Sequence, residues 1–175
     1  MTKSEVVKML KLEPLACEGG WFRRTYESKI KLDARALGSG FSQAEYRAAS
    51  AIYYLLGAGE SSAMHALSGS DEIWHFCCAD SPETSVELIT VNPDTGATKL
   101  TRLGANLEAG EVPQFAVPAR FWMGAKLRGG EREQAWALCA TAVVPSFEYA
   151  DFIKGDPAEI AAMAPEFAEF IMSLG

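Results

Sequence analysis

The sequence is poor in the residues that most enzymes use for chemistry. Histidine occurs twice, as His65 and His75, and cysteine four times, as Cys17, Cys77, Cys78 and Cys139. No two cysteines are spaced C-x-x-C. Cys77 and Cys78 are adjacent, and neighbours on a strand point to opposite faces, so they do not converge readily on one metal ion. The four read as reduced thiols, mostly buried, of a cytoplasmic protein. No stretch approaches the roughly 18 apolar residues of a membrane helix. Residues 1–11 alternate charged and apolar side chains and lack the apolar centre of a secretion signal. No membrane partner is therefore expected. Basic runs are absent too. Sixteen Lys and Arg against 23 Asp and Glu leave a net charge of −7. Such a chain repels a phosphate backbone, so no nucleic-acid partner is expected. Neither a glycine-rich phosphate loop nor a Gly-x-Ser-x-Gly nucleophile elbow is present.

What is present suits one globular domain spanning residues 1–175. The 175 residues are 49% apolar and 22% charged, enough to fill a core. Ser4–Leu12 reads as a short amphipathic helix capped by Ser4 and ended by Pro14. Residues 28–47 read as a loop with a little helix. Then come short apolar runs bounded by Gly, Pro, Asp or Asn. They cover 51–56, 62–67, 72–78, 85–91, 99–103, 114–117, 122–127 and 135–144. The string Asn92-Pro93-Asp94-Thr95-Gly96 is a hairpin turn, because Pro fixes one turn angle and Gly permits positive φ. Many short strands at regular spacing predict an all-β sandwich or barrel. Asp156-Pro157 opens a C-terminal helix, Pro165 interrupts it, and Phe167, Phe170, Ile171 and Leu174 form a second apolar stripe.

Three places have the chemistry for a site. His65 and Leu67 share one face of a strand, and Glu72 can return to the same pocket from the next strand. A His and a Glu meeting inside a barrel can bind a metal, act as an acid–base pair, or only close the turn by hydrogen bonding. His75 lies three residues from Glu72, so it joins that pocket only if a bulge shifts the strand. The second place is 110–122, where Gln114 and Trp122 offer an amide and a flat ring; the plainer alternative puts Trp122 in the core. The third is Arg23-Arg24, of which a strand can point one inward as an anion contact. Trp74, Trp122 and Phe76 can stack on a base or sugar ring.

Four strings together resemble one known group. They are Glu18-Gly19-Gly20-Trp21-Phe22-Arg23, Asp71-Glu72-Ile73-Trp74-His75-Phe76, Val117-Pro118-Ala119 with Trp122, and Pro145-Ser146-Phe147-Glu148-Tyr149-Ala150-Asp151-Phe152. In this order they resemble a narrow family of small single-domain proteins in the cupin superfamily. The resemblance implies a double-stranded β-helix, the jelly-roll barrel, with short helices at both ends. It also implies a homodimer and a small-molecule ligand inside the barrel, of anionic, nucleotide or nucleotide-sugar type. The function it suggests is hydrolysis of nucleotide-sugars with Glu72 and His65 as acid and base. The alternatives are a non-catalytic binding protein, or an epimerase pairing His65 with Tyr53 or Tyr54. The expected site comprises His65, Glu72 and His75, with Arg23, Arg24, Trp74, Gln114 and Trp122 holding the ligand.

The departures from the cupin pattern bear on cofactors. A metal-binding cupin supplies His-x-His, a Glu and a later His. Here Leu67 stands at the second His position, and Met123 lies near the fourth. No metal ligand set is expected, and no cofactor beyond a loosely held Mg²⁺ arriving with a phosphate ligand. Ala16-Cys17 replaces the family's usual His-Pro, Ala66 its usual Arg, and Arg120 its usual Gly.

Overall fold

The computed structural model describes residues 1–129 and 132–175. The chain opens with helix α1 (Lys3–Leu10), followed by β1 (Glu13–Pro14), β2 (Trp21–Glu27), β3 (Lys31–Asp33), β4 (Glu45–Arg47), β5 (Ser50–Gly57), β6 (Ser61–Leu67) and β7 (Asp71–Ala79). It continues with β8 (Ser85–Val91), β9 (Thr98–Leu103), β10 (Gln114–Val117), β11 (Trp122–Arg128), β12 (Trp136–Val144), β13 (Phe152–Lys154), α2 (Pro157–Met163) and α3 (Ala168–Met172). The strands form a six-stranded antiparallel sheet ordered β1-β2-β5-β12-β7-β10 and a five-stranded one ordered β13-β6-β11-β8-β9. A small β3–β4 pair stands beside them. The expected all-β barrel with short terminal helices is the architecture found.

The two sheets face each other, and alternation along each strand decides what lies between them. On β6, His65 and Leu67 face the interior, while Met64 faces out. The interior holds Tyr54, Leu56, Leu67, Trp74, Leu88, Leu103, Met123 and Cys139, all buried. The five-stranded sheet is covered outside by α2 and α3, through Met64, Ile89, Val91, Ile160, Ile171 and Leu174. The outer face of the six-stranded sheet is partly covered by α1, whose Val6 joins Leu12, Leu55, Trp136 and Leu138. The 92–96 turn links β8 to β9, with Gly96 at φ +72°. Asp156 caps α2, accepting from the amides of Ala158 and Glu159.

Several local expectations need correction. Helix α1 is capped by Thr2, not Ser4, in a reciprocal capping box with Glu5. It ends where Lys11 turns left-handed at φ 53°, three residues before Pro14. The 28–47 segment holds the β3–β4 pair as well as a single 3-10 turn at Ala34–Ala36. Of the cysteines only Cys139 is buried; Cys17 is half-buried, and Cys77 and Cys78 are exposed. A register shift in the β7–β12 pairing pairs Phe76 with Cys139 and Cys78 with Leu138, leaving Cys77 between them. That bulge lies beyond Glu72 and His75 and so leaves their opposite orientations intact.

Candidate active site inside the barrel

The site is built where β6 and β7 meet the segment before β2. Gly19 and Gly20 both take positive φ, +94° and +71°, and swing Glu18 back over the sheet. The swing is pinned by the Ala63 amide, which donates to the Glu18 carbonyl at 2.7 Å. A Cβ on Gly19 would lie 2.5 Å from the Ser61 carbonyl oxygen, so the close approach requires glycine. The Glu18 carboxylate then meets His65, with Nε2 at 2.9 Å from Oε2. The other ring nitrogen, Nδ1, lies 2.8 Å from the Ala63 carbonyl oxygen. A carbonyl only accepts, and an ionised carboxylate only accepts, so both ring nitrogens must carry protons. His65 is held as an imidazolium, with Phe152 stacked on it at 5.3 Å.

The electrostatics agree with this geometry. Burial disfavours charge on the His65 ring, but the charge and hydrogen bond of Glu18, aided by the charge of Glu72, outweigh it. The imidazole rises from 6.5 to about 9. Glu72 sits in the same buried cluster. Burial and the negative charge of Glu18 raise its carboxyl to about 7, against the opposing pull of His65 and the Thr141 hydroxyl. One buried carboxyl therefore shares its proton near neutrality beside a fixed ion pair.

Around this cluster lies a narrow pocket of about 50 Å³ that opens to the surface. Leu15, Ile52, Leu67, Val143, Phe22 and Phe147 form apolar walls, and Glu18, His65, Glu72 and Thr141 are its polar groups. Cys17, Arg24 and Tyr149 also line it. Arg24 and Tyr149 are exposed and mark the mouth. Arg24 Nη1 contacts Glu27 at 2.8 Å, and Tyr149 packs edge-on against Phe147 at 5.1 Å.

The residues singled out from the sequence divide between this pocket and other places. His65, Glu72 and Arg24 line it together. Arg23 points to the outer face of the sheet, its guanidinium 5.5 Å from the Tyr53 ring. His75 and Gln114 are paired across β7 and β10, also on the outer face, because odd and even positions alternate from Glu72. Trp74 is buried in the core, edge-on to Tyr54 at 5.4 Å. Trp122 packs against the cluster beneath the C-terminal helices. Among the epimerase candidates, Tyr54 is buried and donates to the Gly19 carbonyl at 3.0 Å, while Tyr53 faces outward under Arg23. Glu18 was not singled out by sequence reasoning, although it opens one of the quoted strings. Its signal was an acidic residue directly before two glycines. Thr141 carries no signal of its own, and Phe147 and Tyr149 stand in the fourth quoted string without being marked as site residues.

A family model described as Cupin superfamily (DUF985) matches residues 4–154. The chain belongs to this family. Among solved structures, this cupin is similar to a Shewanella oneidensis protein, at 28% identity and TM-score 0.79, over 100% of this chain and 98% of that one. It is similar in fold to a hypothetical protein from Leishmania major, at 23% identity and TM-score 0.79, over 98% and 97% of the two chains. A dTDP sugar isomerase from Desulfovibrio desulfuricans shares the fold at 13% identity and TM-score 0.52, over 83% and 86%. No curated protein matches the sequence.

The metal centre found in other cupins does not fit the residues here. His65 has no lone pair to give while both nitrogens are protonated, and Leu67 stands where the cupin pattern expects the second His, with Met123 near the position of the last. Met123 is buried and pairs directly with His65 across β11 and β6. Among the described residues no three His, Cys, Asp or Glu side chains are grouped to hold a metal ion. Arg120, at the family's usual glycine position, takes φ 70° and reaches Asp94 at 3.2 Å, away from the pocket. Among the described residues no helix is long and apolar enough to cross a membrane.

Proposed function

We propose that this cupin binds a small anionic metabolite of the nucleotide-sugar class in the barrel and hydrolyses it, with Glu72 as the group that takes the proton of water. The observation that carries this reading is the buried Glu72 carboxyl, raised to about 7 beside the Glu18–His65 ion pair. A general base works best when its pKa lies near the working pH, and burial next to a like charge produces such a group. In this reading His65 plays a different part from Glu72. Its two N–H groups are already donated, so it serves as a fixed positive charge and not as the base. Arg24 at the mouth supplies the charge-assisted contact for a phosphate. Phe147 and Tyr149 supply faces for a ring. The placement of Tyr53 and Tyr54 outside the pocket favours hydrolysis over epimerisation. The sugar-nucleotide chemistry named for the Desulfovibrio protein is in keeping with this class, although that likeness is one of fold.

The test begins with thermal-shift titration against nucleotides, nucleotide-sugars and free sugars, with and without Mg²⁺. Ligand binding to the native state raises the melting temperature by mass action. Hits go to product analysis with the wild type and Glu72→Gln. The expected result is a nucleotide-sugar that shifts both proteins and is broken down by the wild type about 10²–10⁴ times faster than by the variant. The wild-type rate should rise with pH through about 7. A hit that both proteins leave intact refutes catalysis and favours a binding protein.

A further inference from the structure

The pocket is electrically lopsided, and the asymmetry bears on which bond is cut. Its floor holds two carboxylates, Glu18 and Glu72, against one imidazolium whose donors are both spent. Carboxylates only accept hydrogen bonds when ionised, so the floor offers acceptors to a ligand and repels an anion. Among the described residues, the other cation lining the pocket is Arg24 at the mouth, where its side chain is 42% exposed. A phosphate placed on the floor would face the Glu18 carboxylate and, as pH rises through about 7, a second negative group in Glu72, both in a buried setting. A hydroxyl-bearing sugar placed there would donate to both of them.

Resting on the hydrolase reading above, we infer that the nucleotide-sugar enters sugar first, keeps its diphosphate at Arg24, and is cleaved at the bond between the anomeric carbon and the phosphate oxygen. In that step the oxygen of water bonds to the anomeric carbon as the carbon–oxygen bond breaks. The bonding pair leaves with the nucleoside diphosphate, and the proton lost by water passes to Glu72. No other reactant is needed. The products are the free sugar and the nucleoside diphosphate. Positive charge develops on the sugar ring in such a step, and flanking carboxylates stabilise it, as in glycoside hydrolysis. Attack at phosphorus would need cationic clamping of the phosphate oxygens, and the floor provides none.

The deciding experiment is hydrolysis of UDP-glucose, dTDP-glucose and GDP-mannose by the wild-type protein in ¹⁸O-water, with mass spectrometry of both products. The expected result is ¹⁸O in the sugar product and none in the phosphate product. Label in the phosphate product overturns the inference while leaving the hydrolase reading standing. No turnover of any nucleotide-sugar overturns that reading and this inference with it. Binding of the nucleoside diphosphate alone gives a second readout. With the diphosphate at the mouth, Arg24→Ala weakens binding about tenfold or more, and Glu72→Gln leaves it unchanged. If the anion sits on the floor, Glu72→Gln tightens binding by removing a neighbouring negative charge, and the inference fails. The melting temperatures of both variants show whether each is folded.

Discussion

Substituting Glu18 by Gln removes the partner that holds His65 charged and keeps a group of the same shape. In the wild type the ring titrates at about 9 against its ordinary 6.5. The folded state therefore binds this proton more tightly than the unfolded chain, and the resulting stability is complete below about pH 6.5 and fades as pH rises through 9. At about 1.4 kcal/mol per pKa unit, a 6.5-to-9 difference contributes about 3 kcal/mol at pH 6, about 2 kcal/mol at pH 7.5 and almost nothing by pH 10. With Glu18→Gln, burial remains and its chief opponent is gone, so His65 falls to its ordinary value or below. Urea denaturation of both proteins at pH 6, 7.5 and 10 should show a destabilisation that shrinks in that order. The chain has two histidines, so an NMR titration follows His65 and the half-buried His75 as separate ring signals. A wild-type His65 titrating at or below 6.5, or one that stays near 9 in the variant, refutes the ion-pair account.

Three further substitutions test the parts that build the site. Gly19→Ala puts a Cβ against the Ser61 carbonyl at a left-handed φ of +94°; we expect a loss of about 2 kcal/mol or more in denaturant unfolding, together with a lowered His65 titration as Glu18 is displaced. Arg120→Gly relieves a left-handed arginine at φ 70° and gives up only an exposed contact to Asp94; the melting temperature should stay constant or rise, by at most about 1 kcal/mol of stability. Asp151→Asn acts on a buried carboxylate that accepts from the Tyr46 hydroxyl and from the amide and hydroxyl of Ser42. It should cost about 2–3 kcal/mol and increase hydrogen exchange in 38–47, and unchanged exchange there would show that this network does not tie that segment down.

The strands were legible because each is a short apolar run closed by a residue that cannot continue it. The 85–91 and 114–117 runs coincide with β8 and β10, and the other runs agree within a few residues. Alternation also placed His65 with Leu67 on one face and separated His75 from Glu72 unless a bulge intervened. Alternation gives parity within a strand and not which parity faces in. That is why Arg23 and Arg24 stayed equivalent until the pairing of β2 with β5 was known. It is also why Gln114 and Trp122 were gathered toward a pocket that they do not line. The N-cap of α1 lies two residues before the expected Ser4, because Ser4 and Thr2 are both good caps and only the Thr2–Glu5 reciprocity separates them. Glu18 was hidden for another reason. It is 47 positions from His65 in the chain, and only two left-handed glycines and one amide from Ala63 bring it there.

Leu67 at the second His position of the cupin pattern, and Met123 near the fourth, look like missing ligands when the positions are counted one at a time. The geometry gives them a different meaning. A His that ligates a metal must offer a lone pair, and its neighbouring carboxylates must stay ionised to balance the metal's charge. Here Glu18 takes the nitrogen that a metal would use, and the proton on that nitrogen supplies a positive charge in the metal's stead. One imidazolium balances one carboxylate, not two, so the second carboxylate, Glu72, is left to hold a proton near neutrality. The same barrel positions that in other cupins hold a cation thus produce, with this set of side chains, a carboxyl suited to proton transfer.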